Sequence, residues 1–255
     1  MCLLSPRLSL KARQSARNKL LQKRVTLTFD NGPTAGVTTG VLDVLARQGI
    51  RATFFVIGNK LSDPGAVALM RDAHAAGHWI GNHTLTHSVP FGKTTDAAFA
   101  AREIGETQAR IGACAHRDKL FRPYGGGGAI GPHLLSRAAA ALLLAQHYCC
   151  VIWNSVPGDW RDPAGWVERC VADVRAKDWA VVVLHDTPDA CLARLPELLA
   201  RLDDLGVAYQ QSFPDEVVLT RAGREVRLSE AYLADPGTAY PGADAAPAYD
   251  YLTKA

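Results

Sequence analysis

Short, nearly all-apolar runs alternate along this chain with amphipathic stretches of helical period, and that alternation restricts the fold more than any other feature. Residues 25–29, 52–57, 78–82, 119–122, 149–153, 179–184 and 207–210 read as strands. Residues 38–47, 64–76, 95–111, 132–144, 164–176 and 191–205 read as helices, the first two stopped by Gly49 and Gly77. Strands that alternate with helices lie parallel, because a parallel crossover needs a helix's length of chain. The run Ala180-Val181-Val182-Val183-Leu184 is apolar on both faces, as a strand buried on both sides must be. Seven such units close into a barrel or stay open as a doubly wound sheet. No G-x-G-x-x-G follows the first strand, so the dinucleotide-binding version has no support.

The rest of the chain frames this unit. Residues 1–23 form a basic arm, with Arg7, Lys11, Arg13, Arg17, Lys19 and Lys23 and no acidic residue. Residues 24–213 are expected to be one α/β domain. Residues 214–255 read as an extension, with a hairpin at 216–228 around Arg221-Ala222-Gly223 and then a tail rich in Ala, Pro, Gly and Asp. With 48% hydrophobic residues and 21% charged, the chain can build a core without a staple. The six cysteines (Cys2, Cys114, Cys149, Cys150, Cys170 and Cys191) contain no C-x-x-C pair and read as reduced core residues. A net charge of +3 is too small to argue for nucleic acid. No apolar stretch approaches the roughly 18 residues of a transmembrane helix. The opening Met-Cys-Leu-Leu-Ser-Pro is too short for a signal peptide, so a cytoplasmic location is expected if Met1 is the true start. The oligomeric state is not legible.

Polar residues gather just after the strands. The first strand ends in Asp30-Asn31-Gly32-Pro33, the third in His83-Thr84-Leu85-Thr86-His87 and the fourth in Arg122-Pro123-Tyr124. Asp159-Trp160 follows the fifth, and His185-Asp186 closes the sixth. Both barrels and open α/β sheets carry their chemistry at the carboxyl ends of strands. His83 and His87 are four apart, and on a helical turn both imidazoles would face one metal ion. A capping or packing pair is the alternative. Two imidazoles and an oxygen suit Zn²⁺ first, with Co²⁺, Fe²⁺ or Ni²⁺ as alternatives, and suit Mg²⁺ or Ca²⁺ less well. Asp30 is placed to act as general base and His185 as general acid. Arg122 would pair with Asp30, and Asp159 would orient His185. Trp160 and Trp153 would wall an apolar or sugar-stacking surface. His74, His78, His116, His133 and His147 are background.

With these residues in view, the sequence resembles the polysaccharide deacetylases, carbohydrate esterase family 4, over about residues 25–210. Thr28-Phe29-Asp30-Asn31-Gly32-Pro33 is similar to the family's T-F-D-D-G-P, His83 to His87 matches H-[ST]-x-x-H, and Arg122-Pro123-Tyr124-Gly125 is similar to R-x-P-Y. Asp159-Trp160 and Leu184-His185 match the fourth and fifth motifs. The resemblance implies a distorted (β/α)₇ barrel of the glycoside hydrolase/deacetylase type. It implies a hydrolase that removes an acetyl or formyl group from an N-acylated amino sugar or polysaccharide. Asp30 would be the base, His185 the acid, His83 and His87 metal ligands, and Arg122 and Asp159 tuning residues. A backbone N–H at Tyr124 or Gly125 would face the oxyanion. Asn31 departs from the pattern: it stands at the place of an aspartate metal ligand and brings an oxygen without charge. Two further readings stand beside this one: a glycan-binding pseudoenzyme, and a non-sugar hydrolase of linear amides on the same fold.

Overall fold

The structure, a computed structural model, describes residues 22–94 and 96–234. The basic arm up to Leu21, Cys2 within it, and the tail beyond Ala234 lie outside the described residues. Among the described residues seven parallel strands build the sheet: β1 (Arg24–Asp30), β2 (Thr53–Val56), β3 (Trp79–Asn82), β4 (Leu120–Phe121), β6 (Cys149–Val151), β7 (Trp179–His185) and β8 (Ala208–Gln210). A two-residue β5 (Leu135–Ser136) pairs apart from them with β11 (Leu233–Ala234). Among the described residues six α-helices make the crossovers: α1 (Val37–Arg47), α2 (Pro64–Ala75), α3 (Ala97–Ile111), α4 (Arg137–Ala145), α5 (Trp166–Ala176) and α6 (Leu195–Asp204). None of the described helices is long and apolar enough to cross a membrane.

The sheet is a distorted barrel. Its main path runs β6-β4-β3-β2-β1-β7, extended beyond β6 by the antiparallel β9 (Val218–Arg221) and β10 (Arg224–Glu225). Just past β6 the chain returns to β7 through one parallel bridge between Ser155 and Val182. Ser155 N donates to Val181 O at 3.2 Å and Val183 N to Ser155 O at 2.9 Å, which closes the ring. The distortion lies at the foot of β1. There β8 pairs with Arg24 to Thr26 of β1, while β2 joins β1 only from Thr28 upward. Between β9 and β10, Ala222 and Gly223 both have positive φ, the requirement of a tight two-residue hairpin turn.

Strand periodicity sorts the core into two layers. Val25, Leu27 and Phe29 of β1 and Ala180, Val182 and Leu184 of β7 pack outward with α1, α5 and α6. Val181 and Val183 belong instead to the cluster that includes Phe55, Phe121, Phe213 and Trp153. On β1 the alternate residues are Thr26, Thr28 and Asp30, all buried, so the inner wall carries a polar column that ends at Asp30. The five described cysteines are free. Burial pushes the Cys150, Cys170 and Cys191 thiols up, which keeps them protonated.

Local chemistry explains where helices begin. Asp63 caps α2 by accepting from Gly65 N and Ala66 N, with Pro64 in the first turn. The helix expected over 132–144 starts only at Arg137. Pro132–Leu134 forms a 3₁₀ turn, Leu135 and Ser136 pair with Leu233 and Ala234, and Ser136 Oγ then caps the helix at Ala139 N. The last helix is likewise preceded by a 3₁₀ turn, Cys191–Arg194.

Gly81 shows how tightly the interior is filled. A Cβ there would stand 2.6 Å from the Phe55 ring and 3.2 Å from Leu120. Phe55 has no free space to yield, because the Arg122 guanidinium lies 4.1 Å above its ring. Gly81→Ala should therefore destabilise the fold by about 1–3 kcal/mol, read from the urea midpoint. A neutral substitution would contradict this packing.

Candidate active site

The site is assembled at the carboxyl ends of the strands. Asp30 and His185 are direct partners in the β1–β7 register, so their side chains emerge side by side. Arg122 follows β4, and its backbone N–H extends the ladder to Asn82 O at 2.9 Å. Its side chain crosses the barrel. Nη1 donates to Asp30 Oδ1 at 2.8 Å and to Thr28 Oγ1 at 2.6 Å, and Thr28 passes its own hydroxyl proton to Val182 O. Side-chain exposure is 0% for Arg122 and 4% for Asp30, so this is a buried ion pair. Burial pulls the Arg122 pKa down and Asp30 opposes that pull.

His83 is fixed in one tautomer. Its Nδ1 lies 2.8 Å from Arg122 O, and a carbonyl only accepts, so Nδ1 carries the proton. Nε2 is left with its lone pair and stands 3.6 Å from Asp30 Oδ2. Burial lowers the His83 pKa in spite of Asp30, so the ring is neutral. His87 lies with its ring centroid 4.7 Å from His83 and 4.1 Å from Tyr124. Burial first, then His83, His185 and Lys60, hold it well below the usual histidine range.

The expected helical turn is absent. Residues 83–87 form a loop in which Thr84 and His87 both have positive φ, and this left-handed backbone brings the rings together. The loop is held from outside. The buried Glu103 of α3 accepts from Leu85 N, Thr86 N and Thr86 Oγ1 at 2.8–2.9 Å. Asn82 adds a bond from Thr84 N to its Oδ1 and one from its Nδ2 to Ile104 O. Sequence reasoning missed Glu103, although a signal existed. Ala100, Ile104, Thr107 and Ile111 mark the buried stripe of α3, and Glu103 falls on it. A carboxylate on a buried stripe needs donors to receive.

Asn31 also takes a positive φ, 76°, which asparagine tolerates. Its N–H donates to Phe55 O, while its Oδ1 is buried with no hydrogen-bond partner among the described residues. An orphaned amide oxygen on the first-strand loop and two neutral imidazoles on the third-strand loop are a donor set that fits a divalent cation. No group of three or more His, Cys, Asp or Glu is arranged for a metal among the described residues. Asp186 spends one oxygen on the Thr38 hydroxyl at 2.6 Å, and its other oxygen is buried with no hydrogen-bond partner among the described residues. Burial pushes its carboxyl up to about 7.

On the far side of the site, Asp159 accepts from His185 at both its backbone N and its ring Nδ1, each at 2.8 Å. Burial alone would lower the His185 pKa, but the fully buried Asp159 charge beside it carries the balance, and the net shift is upward. Trp160 presents its ring to His185 at 4.5 Å. After Tyr124, the Gly125–Gly128 run is pinned: His133 Nε2 bonds Gly125 O at 3.2 Å and Trp153 Nε1 donates to Gly128 O at 2.9 Å. The Trp153 ring lies so close to Gly125 that a Cβ there would stand 2.4 Å from it. Trp153 is thus a brace for the rim. His133, set aside as background, is a second brace.

The raised His185 pKa ties stability to pH. The His185–Asp159 pair stabilises the fold fully below the ordinary histidine pKa, and that contribution is lost as pH rises through the raised value. In Asp159→Asn, the His185 imidazole should titrate at lower pH than in the wild type by NMR, and the unfolding midpoint should lose this pH dependence. An unchanged titration would contradict the assignment.

Residues 17–140 match the family described as polysaccharide deacetylase. The chain is similar to a chitooligosaccharide deacetylase of Rhizobium leguminosarum bv. trifolii, at 38% identity over 168 residues, covering 64% of this chain and 72% of the relative. It is also similar to the peptidoglycan-N-acetylglucosamine deacetylase PgdA of Listeria monocytogenes serotype 1/2a (strain 10403S), at 30% identity over 73% of this chain and 37% of that longer protein. Among solved structures, a family 4 carbohydrate esterase from Streptomyces lividans in complex with acetate aligns at a TM-score of 0.63 and 27% identity, over 84% of this chain and 98% of its own. Barrel, strand-end constellation and these likenesses agree, and the chain belongs to the polysaccharide deacetylases of carbohydrate esterase family 4, hydrolases that act on the carbon–nitrogen bond of N-acetylated sugars.

Proposed function

We propose that this chain is a metal-assisted deacetylase of an N-acylated amino sugar, with Asp30 as general base and His185 as general acid. The single observation that carries this reading is the pairing of the two groups: Asp30, matched by Arg122, stands beside His185, matched by Asp159, at adjacent strand ends. The neutral His83, the neutral His87 and the Asn31 amide oxygen would hold the cation, Zn²⁺ first and Co²⁺, Fe²⁺ or Ni²⁺ in its place. When bound, such a cation acidifies water and polarises the amide carbonyl. Asp30 Oδ2, left free of the Arg122 contact, takes a proton from the attacking water. The raised pKa of His185 keeps its Nε2 protonated to deliver a proton to the departing amine. The N–H of Tyr124 or Gly125, on the rim braced by Trp153 and His133, is placed to meet the developing oxyanion. Trp160 forms the wall behind His185 and shields it from water.

Asn31 supports a second reading, in which the chain binds glycan without turnover. A neutral amide contributes less to cation binding than a carboxylate, so the same site would hold metal weakly. One experiment separates the two readings. Purified protein supplied with Zn²⁺ or Co²⁺ should release acetate from N-acetylglucosamine oligomers, and Asp30→Asn should reduce that rate by roughly 10²–10⁴-fold, the usual worth of a general base. Silence of the wild type across N-acylated sugars and linear amides, followed by activity in Asn31→Asp, would overturn the deacetylase reading in favour of the second.

A further inference from the structure

Asp186 is a buried carboxylate with no part in the proposed proton transfers. The neighbouring His185 ring is held by Asp159. The Asp186 backbone N–H continues the β1–β7 ladder to Asp30 O at 3.3 Å, so the strand pair decides where its side chain begins. Taking a carboxylate out of water is costly. Among the described residues its side chain receives one hydrogen bond, from Thr38, and its Oδ1 has no partner.

Both contacts of that carboxylate lead to the first-strand loop. The first is steric. A Cβ on Gly32 would clash with all three carboxyl atoms of Asp186, so the carboxylate rests on the Gly32 backbone and no side chain fits between them. The second is a relay of hydrogen bonds. Thr34 N donates to Oγ1 of the buried Thr38 at 2.7 Å, and Thr38 gives its one hydroxyl proton to Asp186 Oδ2 at 2.6 Å. Asp186 thus holds residue 32 directly and residue 34 through Thr38. β2 and the turn after it hold the same loop. Asn31 N donates to Phe55 O at 3.2 Å, Ile57 N to Gly32 O at 3.0 Å and Lys60 Nζ to Thr34 Oγ1 at 2.8 Å. Asn31 lies within this grip at φ 76°, with its amide oxygen buried and unpartnered among the described residues. A non-glycine residue keeps such a backbone only where its surroundings dictate it.

We propose that Asp186 is a positioning residue for Asn31: by fixing residues 32 and 34 it keeps the Asn31 amide oxygen available to a cation, and cation affinity depends on it. This rests on the reading of Asn31, His83 and His87 as the residues that hold the cation. The role is one of shape and not of charge. A neutral side chain of the same size with one acceptor would serve. Loss of the carboxyl group would leave a gap beside Gly32 and strand the Thr38 hydroxyl.

The test titrates metal-stripped protein with Zn²⁺ and reads Kd by competition with a chromophoric chelator. Asp186→Ala should weaken binding by roughly 10–100-fold, the usual cost of losing a residue that orients a metal ligand. Asp186→Asn should keep most of the affinity. Thr38→Val should weaken binding, and Thr38→Ser should keep it. The Thr38 pair carries the test if Asp186→Ala does not fold, since it turns on a single hydroxyl. In the metal-free protein, hydrogen exchange should quicken at the Ile57 N–H, which is bonded to the loop, and stay slow at the His83 N–H, which is bonded to Val56 O. Faster exchange at both would mean a general loosening and would overturn the inference. So would an unchanged Zn²⁺ affinity in Asp186→Ala and Thr38→Val, an equal loss in Asp186→Asn and Asp186→Ala, or no Zn²⁺ binding by the wild type. Zn²⁺ affinity that depends on Asp186 without any acetate release would sink the deacetylase reading and leave this inference standing. Acetate release with a Zn²⁺ affinity indifferent to Asp186 would do the reverse.

Discussion

A guanidinium and a carboxylate taken out of water together fix the position of nearly everything else in this site. Arg122 and Asp30 come from strands on different parts of the barrel wall, and neither has solvent to fall back on. The desolvation of both charges is offset only while the pair is intact and their remaining donors and acceptors are used. Arg122 spends them on Thr28 and on Asp30, with Val151 O and Ile152 O near its other nitrogens, and lies flat on Phe55. Its own carbonyl sets the His83 tautomer. One side chain thus holds the Asp30 carboxylate, while the backbone of the same residue leaves the lone pair of the His83 imidazole free beside it.

The second constraint is backbone strain held from outside. Asn31, Thr84 and His87 occupy left-handed conformations that most residues avoid. They persist because neighbouring groups dictate them: Phe55 O receives the Asn31 N–H, and Glu103 receives the Leu85 and Thr86 N–H groups. The rim at Gly125–Gly128 follows the same logic, with His133 and Trp153 each taking one carbonyl. Asp30 and His185 end strands, whereas Asn31, His83 and His87 lie on the loops that follow strands, and groups of the scaffold give those loops their shape.

Much of this was legible in the sequence. Apolar runs of strand length pointed to a parallel α/β unit, the resemblance to the deacetylases supplied the barrel, and the inner column Thr26, Thr28, Asp30 could be read from simple alternation once β1 was placed. The pairs Arg122–Asp30 and Asp159–His185 followed from the polar residues gathering at strand ends. Other features left no periodic trace. The His83–His87 spacing suggested a helical turn, because nothing in the residue types of Thr84 or His87 announces a positive φ. Ring closure by Ser155 depends on one bridge outside any regular strand. The late start of α4 depends on a pairing with residues 233–234, nearly a hundred positions away. Such long-range contacts are what local pattern cannot contain.

The claim on which the rest depends is that Arg122 and Asp30 act as one buried unit, and a double-mutant cycle on unfolding free energy tests it most directly. Arg122→Met and Asp30→Asn should each cost about 3–5 kcal/mol, since each leaves a partner stranded out of water. The double variant should cost far less than the sum of the two, because neither stranded group remains. If the two effects simply add, to within about 0.5 kcal/mol, the pair is not a unit and the account fails at its base.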